Sequence, residues 1–199
     1  CCKKAFENGI SLNVAGGTHH AFSNRGEAFC LLNDQAIAAQ YLLNEYKLKK
    51  ILIIDLDVHQ GNGTAEIFRK NKKVFTFSMH GEKNYPFQKI KSDLDVELLD
   101  GTEDQQYLDI LNEKLNTIFD KIKPEFIFYL AGVDILKTDK LGRLSMTLEG
   151  CKLRDEIILN KCFESKIPVQ CSMGGGYSEE LKIILEAHSN TFRIASKIF

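Results

Sequence analysis

The sequence predicts an α/β protein of three layers, with a central, mainly parallel sheet between helices. Three observations carry that prediction. Apolar runs alternate with amphipathic stretches along the chain, as strand–helix repeats of a parallel sheet do. The run at 50–56 is almost continuously apolar, the signature of a strand buried on both faces. Polar, chemistry-bearing residues trail the apolar runs, and open parallel sheets gather their ligands at the carboxyl ends of their strands.

The elements follow in order. Residues 10–14 read as a short strand. Residues 33–46 (NDQAIAAQYLLNEY) place apolar side chains at helical spacing. The strand at 50–56 precedes a short helix at 63–69 and a strand at 74–79. Thr102 and Gln105 have the spacing of a capping box, predicting a helix from there to about Lys121. Pro124 precedes a strand at 126–131. Residues 148–165 read as a helix, 168–173 as a strand, and 178 to about 196 as a long closing helix. No linker, repeat or low-complexity tract divides the chain, so 1–199 is read as one domain.

Bulk composition narrows the function. There are 199 residues, with 26 Lys+Arg against 27 Asp+Glu. That balance gives no reason to expect a nucleic-acid scaffold or a membrane-surface binder. No apolar run approaches the ~20 residues a membrane span needs. Six cysteines without a C-x-x-C pair read as reduced structural thiols, and the expected location is the cytoplasm.

Four segments deliver reactive residues to one sheet edge: Asp55, Asp57 and His59; Asp134; Gly174 to Tyr177; and His19 with His20. In an extended chain Asp55, Asp57 and His59 face one side, and Leu56 and Val58 the other. Converging carboxylates and an imidazole at a buried edge are badly solvated without a cation. An acid at a strand end can simply reach water, and a lone Asp after a strand is often a turn former. Asp134 gains meaning beside the first cluster. Two carboxylates and one His leave an open position, as a catalytic metal site requires. The donor set suits Zn²⁺ and also Fe²⁺. His19 and His20 follow Gly16 and Gly17, and an imidazole beside an activated water is the usual general base. Tyr177 follows three glycines, where a phenol can swing over a site and stabilise an oxyanion.

The stretches GGTHHAF (16–22), AFCLLND (28–34), IDLDVHQGNGT (54–64), AGVDIL (131–136), DKLGRLSMT (139–147) and SMGGGY (172–177) resemble, in this order, the histone deacetylase family within the arginase/deacetylase fold. The wording around Gln60 to Gly63 and GTEDQQYL (101–108) is most similar to class IV deacetylases and bacterial relatives. The resemblance implies a zinc-dependent deacetylase acting on acyl-lysine in proteins or on acetylated small amines. It implies Asp57, His59 and Asp134 as metal ligands. It implies His20 as general base, His19 as its neighbour oriented by Asp55, and Tyr177 as the oxyanion-stabilising tyrosine. Phe29, Tyr85, Leu141 and Gly175 match tunnel positions. Asp55, with backbone near Asp57, His59, Ser78 and Met79, matches a structural K⁺ site.

Departures from the pattern set further expectations. Asn62 stands where many relatives carry an Asp partner for the base. A neutral amide stabilises the imidazolium less, so His20 should titrate lower. Gln60 replaces a common His, and Ala28 a common Gly near the tunnel. The chain is also expected to lack N-terminal strands of the family's sheet, which puts its activity by itself in doubt. Two other readings remain at this level. An arginase-like ureohydrolase needs two metals and more carboxylates, yet Asp134-Ile135-Leu136 lacks a second Asp. A non-catalytic acyl-lysine reader would bind without turnover.

Overall fold

The computed structural model describes residues 1–199. Helix α1 (Cys2–Asn8) leads into strand β1 (Ile10–Asn13). Then come α2 (Asp34–Glu45), β2 (Ile51–Asp55), α3 (Asn62–Phe68) and β3 (Val74–Gly81). Strand β4 (Leu94–Leu98), α4 (Asp104–Ile122), β5 (Phe126–Leu130), α5 (Leu148–Glu164), β6 (Val169–Ser172) and α6 (Leu181–Ile198) complete the chain. The six strands form one sheet in the order β1-β6-β5-β2-β3-β4, parallel at every pairing.

Strand alternation builds the three layers. In β2, Leu52 and Ile54 enter the larger apolar core, while Ile51 and Ile53 enter the smaller one. In β5, Ile127 and Tyr129 take the first side, and Phe126 and Phe128 the second. The larger core is closed by α4, α5 and α6 through residues such as Tyr107, Leu159 and Ile194. The smaller is closed by α1, α2 and α3 through Ala5, Leu42 and Phe68. Each fully buried Leu, Ile or Phe contributes roughly 1.5–3 kcal/mol. The central strands, buried on both faces, therefore anchor the edge where the polar loops begin.

Two helix starts show local chemistry at work. Asn33 caps α2 by accepting from the Ala36 N–H at 3.0 Å. Thr147 caps α5 by accepting from the Gly150 N–H at 3.0 Å. Such caps each contribute about 1 kcal/mol.

Several sequence expectations change. The capping box at Thr102 and Gln105 does not form. The Thr102 hydroxyl donates to the Leu99 carbonyl, and Gln105 donates to Asp109. Helix α4 instead starts after Glu103, and Asp104 accepts from Thr147, tying the starts of α4 and α5 together. Helix α6 begins at Leu181 because Ser178 is engaged by the Thr138 hydroxyl and pairs with Asp139. Helix α1 and strand β4 were not expected. Phe6 gives α1 a tertiary reason to exist, stacking on Tyr46 at 4.9 Å and meeting Phe126 at 5.1 Å. Strand β4 is a half-buried edge strand, with little continuous apolar run for a sequence pattern to show. No helix is long and apolar enough to cross a membrane.

Candidate metal centre and pocket

The loops after β1, β2, β5 and β6 meet at one end of the sheet. There Asp57, His59 and Asp134, all buried, bring one ligand atom each to within 4.8 Å of the others. The His59 Nδ1 faces Asp57 Oδ1 at 3.0 Å and Asp134 Oδ2 at 3.1 Å. Backbone N–H groups hold the carboxylates in place. Val58 donates to Asp134 Oδ1, His59 to Asp57 Oδ1 and Gly175 to Asp57 Oδ2. Leu56 and Val58 point the opposite way, into the larger core.

Two glycines make this approach possible. A Cβ on Gly175 would overlap the Asp134 carboxylate, and one on Gly132 would press on Asp57. The ligand cradle is thus shaped by missing side chains as much as by those present.

Electrostatics show what the cluster lacks. Burial is the largest influence on Asp134. With the neighbouring Asp57 charge it pushes the carboxyl up to about 7. Asp57 is held ionised: burial opposes the charge, but His19, His59 and Asp134 outweigh it. Burial works against a charged His59, yet the hydrogen bonds it donates to Asp134 and Asp57 carry it up to about 10. Without another cation, an imidazolium proton sits between two acids. A divalent ion fits the same donor set of two oxygens and one nitrogen with an open position.

His19 and His20 lie beside this cluster, their rings 4.1 Å apart. His19 Nδ1 donates to Asp55 Oδ2 at 2.7 Å. Burial pulls His19 down, but Asp55 and Asp57 raise it to about 9. His20 Nδ1 donates to Asn62 Oδ1 at 2.7 Å. Burial and then the adjacent His19 lower His20 to about 3, against the Asn62 contact. His20 is therefore a neutral imidazole next to a charged one, and burial and His19 lower it rather than its amide partner.

A cavity of about 470 Å³ opens over these groups. Its wall includes Phe29, Tyr85, Leu141, Gly175 and Tyr177, with Ala28 beside them. Tyr85 meets His20 edge-on at 4.9 Å. Tyr177 lies 6.4 Å from the His59 ring and 6.0 Å from Phe29, centroid to centroid. The Tyr177 backbone N–H donates to Asp139 Oδ2 at 2.6 Å. Burial and the Asp57 charge push its phenol well above the usual value, so the hydroxyl stays protonated.

The residues matched to a K⁺ site lie around the end of β2 and on β3. Ser78 lies in register beside Asp55 on the neighbouring strand. Its hydroxyl pairs with His80 Nδ1 at 2.9 Å and the Met79 side chain enters the core, so both residues face Asp55 through backbone alone.

Sequence reasoning missed the supports. Asp34 accepts from the Gly17 and Thr18 N–H groups and from the Thr18 hydroxyl, fixing the His19–His20 loop. Asn33 donates to the His19 and Ala21 carbonyls. Gln60 bridges to Ile90 and Asp95 across the next loop. Arg154, fully buried, donates from Nη1 to the Gly132 carbonyl at 2.5 Å behind the Asp134 loop. A signal existed for Asn33 and Asp34, inside the AFCLLND stretch. Arg154 carried none, because a basic residue on a helix reads as a surface residue.

Known proteins align with this architecture. The histone deacetylase domain family profile matches residues 1–192. An uncharacterized protein from Picosynechococcus sp. is 46% identical over 195 residues, covering 98% of this chain and 65% of that protein. Histone deacetylase 2 from Arabidopsis thaliana is 33% identical over 195 residues, covering 96% of this chain and 50% of that protein. The crystal structure of an HDAC homolog complexed with SAHA superposes with a TM-score of 0.84 at 26% identity, covering 98% of this chain and 55% of that one. The HDAC homolog from Aquifex aeolicus gives 0.83 at 25% identity, with the same coverages. The chain thus spans between half and two thirds of the length of these relatives. A profile match over nearly every residue, on a sheet superposing this closely, places the chain in the histone deacetylase family.

Proposed function

We propose that this chain hydrolyses acyl-lysine amides in proteins, releasing a carboxylate and the free lysine amine. The observation that carries the reading is the aim of His59 Nδ1 at two buried carboxylates beside a pocket that also holds a neutral His20. Asp57, His59 and Asp134 would hold Zn²⁺, with Fe²⁺ the alternative. Such an ion supplies Lewis-acid polarisation of the acyl oxygen and of the attacking water.

The chain's own groups do the rest. With its proton on Nδ1, His20 presents a bare Nε2 that takes a proton from the water. It then returns that proton to the departing amine nitrogen as the C–N bond breaks. His19, charged and paired with Asp55, helps keep His20 neutral at working pH. The Tyr177 hydroxyl donates to the oxygen on which negative charge develops. Phe29, Tyr85 and Leu141 flank the apolar stem of the substrate. Asp55 and the backbone of Asp57, His59, Ser78 and Met79 are proposed to take a K⁺ ion beneath the site.

The rim favours a peptide over a free polyamine. Lys83 and Arg143 stand at the pocket, both paired with Asp100, and Asp57 is its single acid. A polycationic amine would meet like charge there. Three substrates test the reading on Zn²⁺- and Fe²⁺-loaded protein: an acetyl-lysine peptide, a longer acyl-lysine peptide and an acetylated polyamine. A lysine peptide should be hydrolysed fastest. Polyamine preference would overturn the substrate assignment, and peptide binding without turnover would make the chain a reader. Tyr177→Phe should lower kcat about 10²–10³-fold. Retention of most of the rate would remove Tyr177 from the mechanism. Elemental analysis should find one ion in the Asp57–His59–Asp134 cluster, against the two of an arginase-like site.

A further inference from the structure

Glu27 lies outside the pocket wall, yet two groups that matter to the site converge on it. Its Oε1 accepts from Asn62 Nδ2 at 2.7 Å and from the Tyr85 hydroxyl at 2.7 Å. Asn62 is buried and turns its Oδ1 to His20 Nδ1 at 2.7 Å. Tyr85 packs its ring edge-on against the same imidazole. Backbone hydrogen bonds in both directions between Glu27 and Cys30 make the loop that carries Glu27 stiff. Arg25 approaches the other carboxylate oxygen at 3.2 Å.

These contacts have a consequence for protons. An ionised carboxylate only accepts hydrogen bonds. The Asn62 amide must therefore turn its NH₂ to Glu27 and its carbonyl to His20. A carbonyl also only accepts, so His20 must carry its proton on Nδ1 and present a bare Nε2. Asn62 by itself could not enforce this. An amide rotated by half a turn offers its NH₂ to the imidazole just as well and selects the opposite tautomer. The acid that breaks this symmetry is one residue further out.

We propose that Glu27 is a positioning residue that fixes the His20 tautomer through Asn62 and clamps Tyr85 against the same ring. The geometric half stands by itself. The kinetic half rests on the reading of His20 as the general base. Glu27 works as an orientation lock, and the imidazole meets a neutral amide rather than a charge.

The test reads the tautomer directly, by long-range ¹H–¹⁵N correlation of ¹⁵N-histidine-labelled protein, before and after Zn²⁺ is added. In the unsubstituted protein His20 Nδ1 should be the protonated nitrogen. Glu27→Leu should give a mixed or reversed tautomer. Glu27→Lys, with a donor at the same place, should turn the Asn62 amide round and put the proton on Nε2. Glu27→Gln, whose carbonyl can still accept, should restore the original tautomer. The side chain of Glu27 is partly exposed, and Glu27→Lys keeps the question open if Glu27→Leu folds poorly. An unchanged His20 tautomer in Glu27→Lys overturns the proposal, whether or not the protein turns over any substrate.

On an acetyl-lysine peptide, Glu27→Leu should lower kcat at least about tenfold, less than the 10²–10⁴ of a lost general base, with KM little changed. A shift in KM alone would reduce Glu27 to a wall support. Absence of turnover in the unsubstituted, metal-loaded protein counts against the deacetylase reading and leaves the tautomer result standing.

Discussion

Two buried polar clusters lie back to back in this molecule, and they differ in how charge is balanced. Asp57, His59 and Asp134 have no Lys or Arg partner, and the imidazole has to take a proton to sit between the acids. Behind them, Arg154 and Asp155 form an ion pair at 2.7 Å with both side chains fully buried. Asp155 also accepts from the Tyr129 hydroxyl and from the Thr191 hydroxyl. Arg154 reaches the Gly132 and Leu56 carbonyls at the base of the loops that carry Asp134 and Asp57. The second cluster pairs its own opposite charges and supports the backbone. The first is left short of positive charge and open to a pocket, the arrangement that invites an external cation. Buried charge that the chain balances for itself is structural, and buried charge that it leaves unbalanced marks chemistry.

The largest effect should come from breaking the unbalanced cluster. Asp134→Asn keeps the shape and removes a ligand charge. It should abolish metal retention by elemental analysis and lower turnover more than about a hundredfold, beyond the cost of losing an outer-shell partner. Metal retained at full stoichiometry would mean that the cluster is not the ligand set.

Breaking the balanced cluster should act on stability. Arg154→Met strands Asp155 in the core and should lower unfolding free energy by about 3–5 kcal/mol in denaturant melts. The double substitution Arg154→Met, Asp155→Leu should recover part of that loss. Equal or greater loss in the double variant would show that the carbonyl contacts matter more than the ion pair.

A third comparison uses pH. In chelator-treated protein His59 titrates near 10 and His19 near 9, both above the unfolded value near 6.5. Raised values mean that the charged rings stabilise the fold at and below pH 6.5. That contribution is lost as pH climbs through 9 to 10. The metal-free thermal midpoint should therefore fall between pH 7 and 10, and Zn²⁺ should flatten the slope. A midpoint that rises over this range would reverse the charge assignment.

The smallest effect concerns His20, the proposed base. Asn62→Asp supplies a charge that favours the His20 imidazolium. The acid limb of the pH profile of kcat/KM should move to higher pH. Movement to lower pH would contradict the weak-partner reading of Asn62.

Legibility differed between the strands and their supports. The continuous apolar run of β2 and the apolar strand β5 were visible because burial on both faces leaves no polar position to blur the pattern. Edge strand β4 lacked that cue, and α1 depends on Phe6 meeting Tyr46 and Phe126 across the fold. The Thr102 capping box failed because the Thr102 hydroxyl goes to the Leu99 carbonyl and the Gln105 amide to Asp109, which spacing cannot show.

By itself, the sequence determined the alternation of strands and helices, the strand ends that carry reactive groups, and the candidate cluster of Asp57, His59 and Asp134. Those are properties of local pattern and of residue chemistry, written one position at a time. Only the tertiary structure decided that Arg154 is a buried support, that Gly175 makes room for Asp134, and that Glu27 turns the Asn62 amide. Each depends on side chains distant along the chain meeting within hydrogen-bond or contact distance. Strand register and helix packing set such meetings, and no local stretch of sequence encodes them.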